Sequence, residues 1–416
     1  MRFNFATIKL NRALILLLPL AVLSLVAFSC VTPSGGGGCG GPASQGWSGF
    51  ASYNGTLYFG SMDGRVFAVD PSARNREVTF PGEGEWVFAI EAPAAPGSMC
   101  GPLGCAPASV AVNIYSTPAV TDNLVYVGTY YVKGGGAEGK VLAVSPSARG
   151  ERRVFPVRKE NEWVYPHDKY EAAGAIVGDL ALDESAIYIG SSDGKVYALD
   201  TIYGDLKWEF ETGDKIWTSP VVKDGVVYVG NYGGNFYALS SQDGSLLWEI
   251  ELPAAIASSP VVSGGSVFFG TFDHYLYAIN SANGVEKWRF KGGNWFWANP
   301  VVKDGVVYAG CLDHKIYAIG ARTGTELWQF TANDPIVSAP VLAGNLLIAV
   351  SKSGEMYVLE ANSGALERTV SIGYEVMAPL YAEENMVYVH ARNRCVYSVD
   401  VQSGEKVWEL CYSDID

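Results

Sequence analysis

A segment of about 40 residues recurs along most of this chain, and this recurrence constrains the fold more than any other feature of the sequence. Eight copies can be aligned; the last six follow one another at a constant spacing of 40 residues, and the first two are more divergent. The copies begin at Gly55, Asn123, Ser185, Gly225, Gly265, Gly305, Asn345 and Asn385. Because such units bury their apolar faces against one another, the chain is expected to form a repeat architecture.

Each copy has the pattern of three β-strands, and a fourth strand precedes it. In the third copy, a short apolar stretch is followed by a turn, by Lys195–Asp200, by a turn at Gly204 and by Leu206–Phe210. Alternating apolar residues bounded by turn residues indicate antiparallel hairpins, and a short segment with Pro, such as Thr218–Val222, supplies the fourth strand. No segment after the N-terminal signal keeps a long 3.6-residue apolar period, which excludes a helical fold. The sequence therefore predicts an all-β fold, an eight-bladed β-propeller of four-stranded antiparallel blades.

A Trp recurs in the third strand of five copies, four residues after a Gly. Each Trp offers a large apolar face to bury and one N–H that needs a partner, so we predict that these residues dock neighbouring blades. The seventh copy has Arg368 at this position and the first two have Val78 and Arg153, so these blades are expected to dock differently. The five docking residues are Trp208, Trp248, Trp288, Trp328 and Trp408.

This Ala-x-Asp…Gly-x-x-x-Trp pattern resembles the repeat of quinoprotein (PQQ) propellers, and the resemblance covers residues 47–412. It implies the propeller fold and, for the dehydrogenases of that group, PQQ bound with Ca²⁺. Those enzymes are typically longer and have a disulfide between adjacent cysteines, whereas this sequence has no Cys-Cys pair. Their catalytic Asp and calcium-binding residues cannot be matched here. We therefore expect no cofactor, and a PQQ-dependent dehydrogenase with calcium is the alternative.

The first 29 residues differ from the repeats and predict a secretory signal. A basic start with Arg2, Lys9 and Arg12 precedes an apolar run of sixteen residues, 13–28. As a helix this run reaches about 24 Å, short of the roughly 30 Å that spans a bilayer. The segment is therefore interpreted as a signal rather than as a membrane span.

The signal ends just before Cys30, and Ala-Phe-Ser-Cys at this point resembles the lipobox of bacterial lipoproteins. We expect Cys30 to receive lipid; ordinary cleavage nearby, or an uncleaved anchor, is the alternative. Residues 30–45 are rich in Gly, Ser and Pro and predict a flexible tether, and residues 46–416 contain the propeller. The chain is therefore expected to be exported and to face the periplasm or the cell exterior as a membrane-anchored lipoprotein.

These features together resemble the propeller lipoproteins of the outer-membrane protein assembly machinery, which bind partners and do no chemistry. The formal net charge of −14 and the lack of a basic run disfavour nucleic-acid binding, which needs clustered Lys and Arg. We therefore predict a non-catalytic, envelope-tethered scaffold with protein partners and no nucleic acid. A carbohydrate-binding surface protein is a further alternative.

Seven cysteines in an exported chain indicate disulfides. Cys100 and Cys105 are close in one loop and are candidates for a small ring. Cys395 and Cys411 face each other directly if the last hairpin is regular across its turn, and we predict a bond between them; two free thiols are the alternative. No strand is left over at either end to complete the other terminal blade, so this bond would help to close the ring.

The densest aromatic cluster in the sequence is Trp295-Phe296-Trp297, in the loop before an inner strand. Trp217 holds the same place in an earlier repeat. We expect these residues near the mouth of the central channel, either packed between blades or exposed as a binding platform for a peptide or a sugar.

Two long insertions follow the first two copies, at about residues 81–114 and 156–180. Loops of this length in a compact domain are often functional. Trp86 and Trp163 lie within them in the same Glu-Trp-Val motif, and we include both in the possible binding rim.

Two histidines replace the Gly of equivalent hairpin turns, namely His274 and His314. We predict a turn role for both, since His tolerates positive φ better than most residues. Cys311 is close to His314, but one Cys and two His lack a fourth ligand, so no metal site is expected. No Ser-His-Asp or Gly-x-Ser-x-Gly arrangement is present, and no catalytic residue is predicted.

Overall fold

Short apolar stretches and tight turns form antiparallel sheets throughout the described part of the chain. This computed structural model describes residues 48–75, 79–91, 111–133, 136–146, 153–154, 162–168, 173–256, 258–413 and 415. The signal and the tether lie outside these residues, as do Cys30, Val78, Cys100 and Cys105, so the expectations for them remain predictions. Within the described ranges, no helix has both the length and the apolar character needed to cross a membrane.

The N-terminal part of the sheet structure contains two blades and one extra sheet. In chain order its elements are β1 (Phe50–Tyr53), β2 (Thr56–Gly60), β3 (Arg65–Val69), the short helix α1 (Pro71–Arg74), β4 (Trp86–Glu91), β5 (Val112–Asn113), β6 (Ala119–Val120), β7 (Val125–Gly128), β8 (Tyr130–Lys133), β9 (Gly136–Gly139), β10 (Val141–Val144), β11 (Arg153–Val154), β12 (Trp163–Tyr165) and β13 (Ala173–Gly174). Blade 1 is β1-β2-β3-β4, with β11 added parallel to β4 at its outer edge. Blade 2 is β6-β7-β10-β12, and β5, β8, β9 and β13 form a separate four-stranded sheet, the accessory sheet.

Blades 3 to 8 each take four strands in succession, from the inner strand to the outer one. These strands are β14 (Ala181–Leu182), β15 (Ala186–Gly190), β16 (Lys195–Asp200), β17 (Leu206–Glu211), β18 (Val221–Lys223), β19 (Val226–Gly230), β20 (Asn235–Ser240), β21 (Leu246–Glu251), β22 (Val261–Ser263), β23 (Ser266–Gly270), β24 (Tyr275–Asn280), β25 (Glu286–Lys291), β26 (Val301–Lys303), β27 (Val306–Gly310), β28 (Lys315–Gly320), β29 (Glu326–Thr331), β30 (Val341–Ala343), β31 (Leu346–Val350), β32 (Glu355–Glu360), β33 (Leu366–Ser371), β34 (Tyr381–Glu383), β35 (Met386–Ala391), β36 (Cys395–Asp400) and β37 (Lys406–Cys411).

Eight apolar cores, one between each pair of neighbouring blades, join these sheets into a ring. The core between blades 1 and 2 contains Val66 and Val127, and the core between blades 8 and 1 contains Phe59 and Val396. Among the described strands, blades 1 and 8 exchange none, so packing between the first and last blades closes the ring. The all-β propeller predicted from the repeats is confirmed.

The regular interfaces between blades share one contact, in which a Trp of the outer strand packs on a Gly of the next blade. Trp208 Nε1 donates to the Ser241 carbonyl at 3.0 Å, and its ring covers Gly244. Gly244 has a φ of +72°, and a Cβ there would lie 2.6 Å from the Trp ring, so both the backbone and the contact require Gly. The same N–H to carbonyl bond, at 2.9 to 3.1 Å, joins Trp163 to Thr201, Trp248 to Ser281, Trp288 to Ala321 and Trp328 to Ala361.

Trp86 and Trp163 occupy this docking position, which corrects their assignment to a binding rim. Each is only 2% exposed. Trp86 opposes Ala68 in the ladder and Trp163 opposes Ala143, the pairing that the regular repeats make. The proposed insertions thus contain the outer strands β4 and β12, and Arg153 lies in β11 instead. Constant spacing misplaced the docking residues because the connections before these two strands are longer than in the other blades.

A buried ion pair holds the longer connection of blade 1 in place. Nε and Nη2 of Arg74, at the end of α1, donate to the Glu85 carboxylate at 3.0 and 2.5 Å. The same carboxylate accepts from the backbone N–H groups of Asp70 and Gly82 at 3.0 and 2.6 Å. Because removing either charge would leave the other buried and unpaired, this pair fixes the residue that precedes Trp86.

A chain of hydrogen bonds links the inner strands of five successive blades around the central axis. Just before each inner strand, a backbone N–H donates to the side-chain oxygen of the equivalent residue in the next blade. The pairs, at 2.6 to 2.8 Å, are Thr117 with Asp179, Asp179 with Ser219, Ser219 with Ser259, and Ser259 with Asn299. Burial raises the pKa of the Asp179 carboxyl. The sequence carries a signal for this chain, a polar residue just before a Pro in four of these blades, and it was not recognised from the sequence alone.

Polar contacts complete the closure between blades 8 and 1. His390 is fully buried, with Nδ1 3.0 Å from the Ser48 carbonyl and Nε2 2.6 Å from the Tyr412 hydroxyl. Since a carbonyl only accepts, Nδ1 carries the proton and Nε2 accepts from Tyr412, which describes a neutral ring. Arg65 of blade 1 donates to the Tyr412 carbonyl at 2.9 Å and also to the Ile415 carbonyl, so blade 1 holds the C-terminal residues.

The Cys395–Cys411 disulfide joins β36 to β37 beside this network. The hairpin is less regular than expected, because a bulge near its turn pairs Lys406 with Val399 rather than with Asp400. Beyond the bulge the two cysteines are directly opposite each other in the ladder. The bond therefore secures the outer strand that ends next to Tyr412.

We predict that Gly324→Ala is more destabilising than Gly305→Ala by about 1–3 kcal/mol, the usual penalty for overpacking. Both glycines have positive φ, +70° and +78°, so both variants strain the backbone. A Cβ at Gly324 would lie 2.7 Å from the Trp288 ring, whereas nothing lies within 4 Å of one at Gly305. Chemical denaturation measures the difference, and equal destabilisation would show that the Trp–Gly contact contributes nothing beyond the turn.

We also predict that His390 makes the fold sensitive to acid. Burial lowers its pKa to about 4, so the unfolded chain binds this proton from about pH 6.5 downward while the folded chain does not. The contribution to stability is complete above pH 6.5 and is lost as the pH falls toward 4, by up to about 3 kcal/mol. Unfolding measured between pH 4 and 7 should be less pH-dependent in His390→Gln than in the native protein. An unchanged slope in His390→Gln would contradict the assignment.

Candidate functional site: an aromatic face of the propeller

The propeller has two faces, which differ in the connections they carry. The loop face carries the loops into the inner strands, such as residues 212–220, and the turns between second and third strands, such as residues 231–234. The turn face carries the other two kinds of turn, such as residues 224–225 and 201–205. The loops into the inner strands differ more in sequence from one repeat to the next than the hairpin turns do. Side chains that differ between blades are therefore concentrated on the loop face.

Five half-buried rings form one continuous cluster on the loop face of blades 4, 5 and 6, the aromatic cluster. Phe272 stacks on Trp295 with centroids 4.4 Å apart and lies nearly parallel to Trp297 at 5.8 Å. Tyr232 meets the edge of Phe272 at 5.8 Å and contacts Trp217 at 4.9 Å. The cluster thus joins three of the residues proposed from the sequence, and it adds Tyr232 and Phe272, which the sequence analysis missed.

Tyr232 and Phe272 occupy the same position in successive hairpin turns, two residues after the end of the second strand. The backbone N–H of Tyr232 donates to the Lys215 carbonyl, which places this turn against the loop that carries Trp217. Lys215 is exposed and lies with Nζ 5.9 Å from the centre of the Trp217 ring. Aromatic residues at equivalent turns 40 residues apart were the signal in the sequence that would have identified them.

Phe296 does not belong to this surface, and its inclusion in the possible binding rim is wrong. Its side chain is fully buried and packs against Phe290 and Tyr317 in the core between blades 5 and 6. Its Cβ would lie 2.4 Å from a Cβ added at Gly270, so the strand end fits closely around it. In an extended segment successive side chains point to opposite sides, which buries Phe296 and leaves Trp295 and Trp297 outward.

The accessory sheet rises from the loop face at blade 2. Ten residues separate Thr129 from Lys140, against three between Ser191 and Lys195 in the regular turn. The Thr129 N–H still donates to the Lys140 carbonyl at 2.9 Å, so the longer hairpin starts where the other blades turn. Nζ of Lys140, itself fully buried, donates to two backbone carbonyls of the loop before blade 3 at 2.7 and 3.1 Å, which ties the base of the sheet down.

The loop face is charged over blades 7 and 8. The Glu375 carboxylate lies between Lys352, whose Nζ is 3.4 Å away, and Arg392, which donates to it.

Blade 2 carries a smaller aromatic contact. Tyr115 and Tyr130 form an edge-to-face pair there, with centroids 5.4 Å apart. The face therefore has an aromatic region over blades 4 to 6, a charged region beside it, and a raised sheet on blade 2.

The histidines and the free cysteine near this face are structural. His274 and His314 have φ of 72° and 70°, as the turn prediction requires, and Arg394 has 65° at the same turn position in blade 8. Cys311 is buried, and burial raises the pKa of its thiol to about 12. Among the residues described, no three His, Cys, Asp or Glu side chains are grouped so that they could hold a metal ion.

A closed ring of four-stranded blades joined by Trp–Gly contacts defines the protein as a β-propeller. A family model described as "Beta-alanine-activating enzyme, beta-propeller" matches residues 171–415. The match includes more than half of the chain, and the protein belongs to this β-propeller family. No curated protein matches the sequence significantly.

Solved structures of propellers are similar to this chain in fold. BamB from Moraxella catarrhalis is 16% identical with a TM-score of 0.60, and the match covers 82% of this chain and 90% of that one. The computationally designed Ika8 protein is 18% identical with a TM-score of 0.62, covering 84% and 94%. At these identities the likeness is one of architecture, and it confirms the propeller resemblance inferred from the repeats.

The placement of Phe296 and Trp297 predicts opposite consequences for two adjacent truncations. Phe296→Ala should cost about 3–5 kcal/mol of stability, as is usual for a buried Phe, because it empties the core between blades 5 and 6. Trp297→Ala should cost only about 1–2 kcal/mol, because its ring is half-buried. Denaturant titration of both variants gives the two values, and a similar large loss for Trp297→Ala would show that this ring serves packing between blades.

Proposed function

We propose that this protein is a non-catalytic interaction module that binds protein partners through its loop face. The observation that carries the proposal is the aromatic cluster, five half-buried rings in contact across three blades. Large aromatic side chains next to polar and charged residues are typical anchors of protein interfaces. The charged region over blades 7 and 8 supplies such a polar border.

The rest of the loop face supports a macromolecular partner rather than a small ligand. Blade 2 lies across a ring of eight blades from blade 6, so the accessory sheet and the aromatic cluster flank the channel mouth from opposite sides. Sites for small molecules are usually enclosed clefts, whereas an open surface of this kind suits a protein. The accessory sheet would then limit the orientations in which a partner can dock.

We propose that the propeller acts at the cell envelope, held there by lipid on Cys30. The support is the secretory signal in residues 1–29 and the lipobox-like residues before Cys30. The Gly- and Ser-rich residues 30–45 would let the propeller approach partners at a short distance from the membrane.

We further propose that the protein has no enzymatic activity and needs no cofactor. The thiol of Cys311 is a poor nucleophile, because a raised pKa keeps it protonated at neutral pH. The family description names an activating enzyme, but the model that matches is that of its β-propeller, and the named activity is a property of that relative.

We expect a double substitution in the aromatic cluster, Trp217→Ser with Trp297→Ser, to abolish capture of the main envelope partner by the full-length protein. The matched control is Leu206→Ser with Leu327→Ser, which removes two apolar side chains, 44% and 55% exposed, from outer strands. Crosslinking in intact envelopes, followed by mass spectrometry, should find the same partner with the native chain and with the control. Retention by the aromatic variant, or loss from both variants, would contradict the role of the loop face.

The competing assignment as a quinoprotein is tested on the same purified protein. After incubation with PQQ and Ca²⁺, we expect no stoichiometric quinone absorbance and no dye reduction. A stoichiometric spectrum with dye reduction would replace the scaffold by an oxidoreductase.

Titration with glycans tests the third assignment, a carbohydrate-binding surface protein. If Trp217 and Trp297 form a carbohydrate platform, glycan should change the Trp fluorescence of the native protein, and the double substitution should remove this change.

A further inference from the structure

The closure between blades 8 and 1 leaves a cleft on the turn face, the seam cleft, with a volume of about 520 Å³. Four carboxylates line it, those of Asp70, Glu83, Glu383 and Glu384, and its described lining residues include no Lys, Arg or His. Tyr388 also lines the cleft. An acidic cleft alone indicates no ligand, but this one coincides with a break in the contact that joins the other blades.

In four regular interfaces, two side chains of one blade bind the same backbone carbonyl of the next. Tyr188 Oη and Trp208 Nε1 both donate to the Ser241 carbonyl, at 3.2 and 3.0 Å. The other three sets are Tyr126 and Trp163 on Thr201, Tyr228 and Trp248 on Ser281, and Tyr308 and Trp328 on Ala361. The Tyr–Trp pair is therefore a receptor for one peptide carbonyl, built repeatedly into this fold.

Blade 8 contains the same receptor without its carbonyl. Tyr388 and Trp408 have centroids 5.8 Å apart with an interplanar angle of 41°, against 5.8 Å and 37° for Tyr188 and Trp208. Trp408 is only 8% exposed, and its buried Nε1 has no hydrogen-bond partner. Among the described residues, none accepts a hydrogen bond from the Tyr388 hydroxyl, and Tyr388 is one of the residues that line the cleft.

The cause is the helix α1 in blade 1. By register, the carbonyl that should face Trp408 belongs to Pro71, since Ala68 corresponds to Ala198 and Pro71 to Thr201. In α1 the Pro71 carbonyl accepts instead from the backbone N–H of Asn75 at 3.1 Å. The helix thus withdraws the natural acceptor, and Pro71 becomes part of the cleft wall.

We propose that the seam cleft binds a basic peptide segment of a partner protein, whose backbone carbonyl takes the place of the missing carbonyl on Trp408 and Tyr388. The four carboxylates then pair with Lys or Arg side chains on either side of that carbonyl. Burying an unpartnered indole N–H is unfavourable, so an incoming acceptor gains from satisfying it. Because Nε1 is covered in the free protein, the cleft wall must yield, and Met386, an unbranched flexible side chain, lines it.

The seam cleft lies on the face opposite the aromatic cluster, so this site is independent of the proposed function. The probe is the blocked peptide acetyl-Gly-Lys-Gly-Lys-amide, titrated into full-length protein labelled with ¹⁵N at Trp indoles. We expect the Trp408 indole resonance, assigned by its absence in Trp408→Phe, to shift downfield on binding. Trp408→Phe and Tyr388→Phe should each weaken binding about tenfold, the effect of one hydrogen bond. Glu383→Gln with Glu384→Gln should weaken it at least as much.

Trp328→Phe is the matched control, because it removes the same indole N–H from an interface whose carbonyl is present. It should destabilise the fold more than Trp408→Phe does and leave peptide binding unchanged, as should Trp217→Ser with Trp297→Ser. Native affinity in folded Trp408→Phe and Tyr388→Phe would overturn the carbonyl site. Equal binding of acetyl-Gly-Glu-Gly-Glu-amide would overturn the preference for a basic segment. Failure of the loop-face experiment alone would leave these results unaffected.

Discussion

The bond from a Trp N–H to a backbone carbonyl of the next blade, with a Gly beneath the ring, is the interaction on which the rest of the propeller depends. It combines burial of a large ring with the satisfaction of one polar group. It also constrains the spacing of the repeat, because Trp, Gly and carbonyl must reach one another across each of the five interfaces that contain it. The Gly cannot vary, since its backbone has positive φ and the ring leaves no space for a Cβ.

This interaction explains why the fold was predictable and where prediction failed. Five docking residues stand at a constant distance from a turn Gly, so counting along the sequence found them. Trp86 and Trp163 hold the same position in the ladder but follow longer connections, and counting placed them in insertions. The ladder position, not the distance along the chain, defines the docking residue, and only pairing partners such as Ala68 reveal it.

The candidate site was predictable only in part, for a related reason. Trp217, Trp295 and Trp297 could be placed near the channel because the repeats locate every loop. The side to which each residue points depends on a single step along an extended loop segment, which buries Phe296 between two half-buried neighbours. Tyr232 and Phe272 lie in turns rather than in the same loop, so their contact with the tryptophans requires the fold. The neutral, buried His390 is likewise defined by residues more than 300 positions away.

Departures from the repeat are concentrated in blades 1, 2 and 8, and they follow from closing the ring. A regular blade has both neighbours at a fixed distance along the chain, whereas blades 1 and 8 meet through the ends of the chain. Their junction replaces the Trp–carbonyl bond by His390, Tyr412 and the Arg65 contacts, and it leaves Trp408 without an acceptor. Where a repeated receptor loses its internal ligand, a donor such as the Trp408 indole N–H stays buried without a hydrogen-bond partner. Irregularity at the closure therefore distinguishes this part of the propeller from the five interfaces that keep the Trp–carbonyl bond.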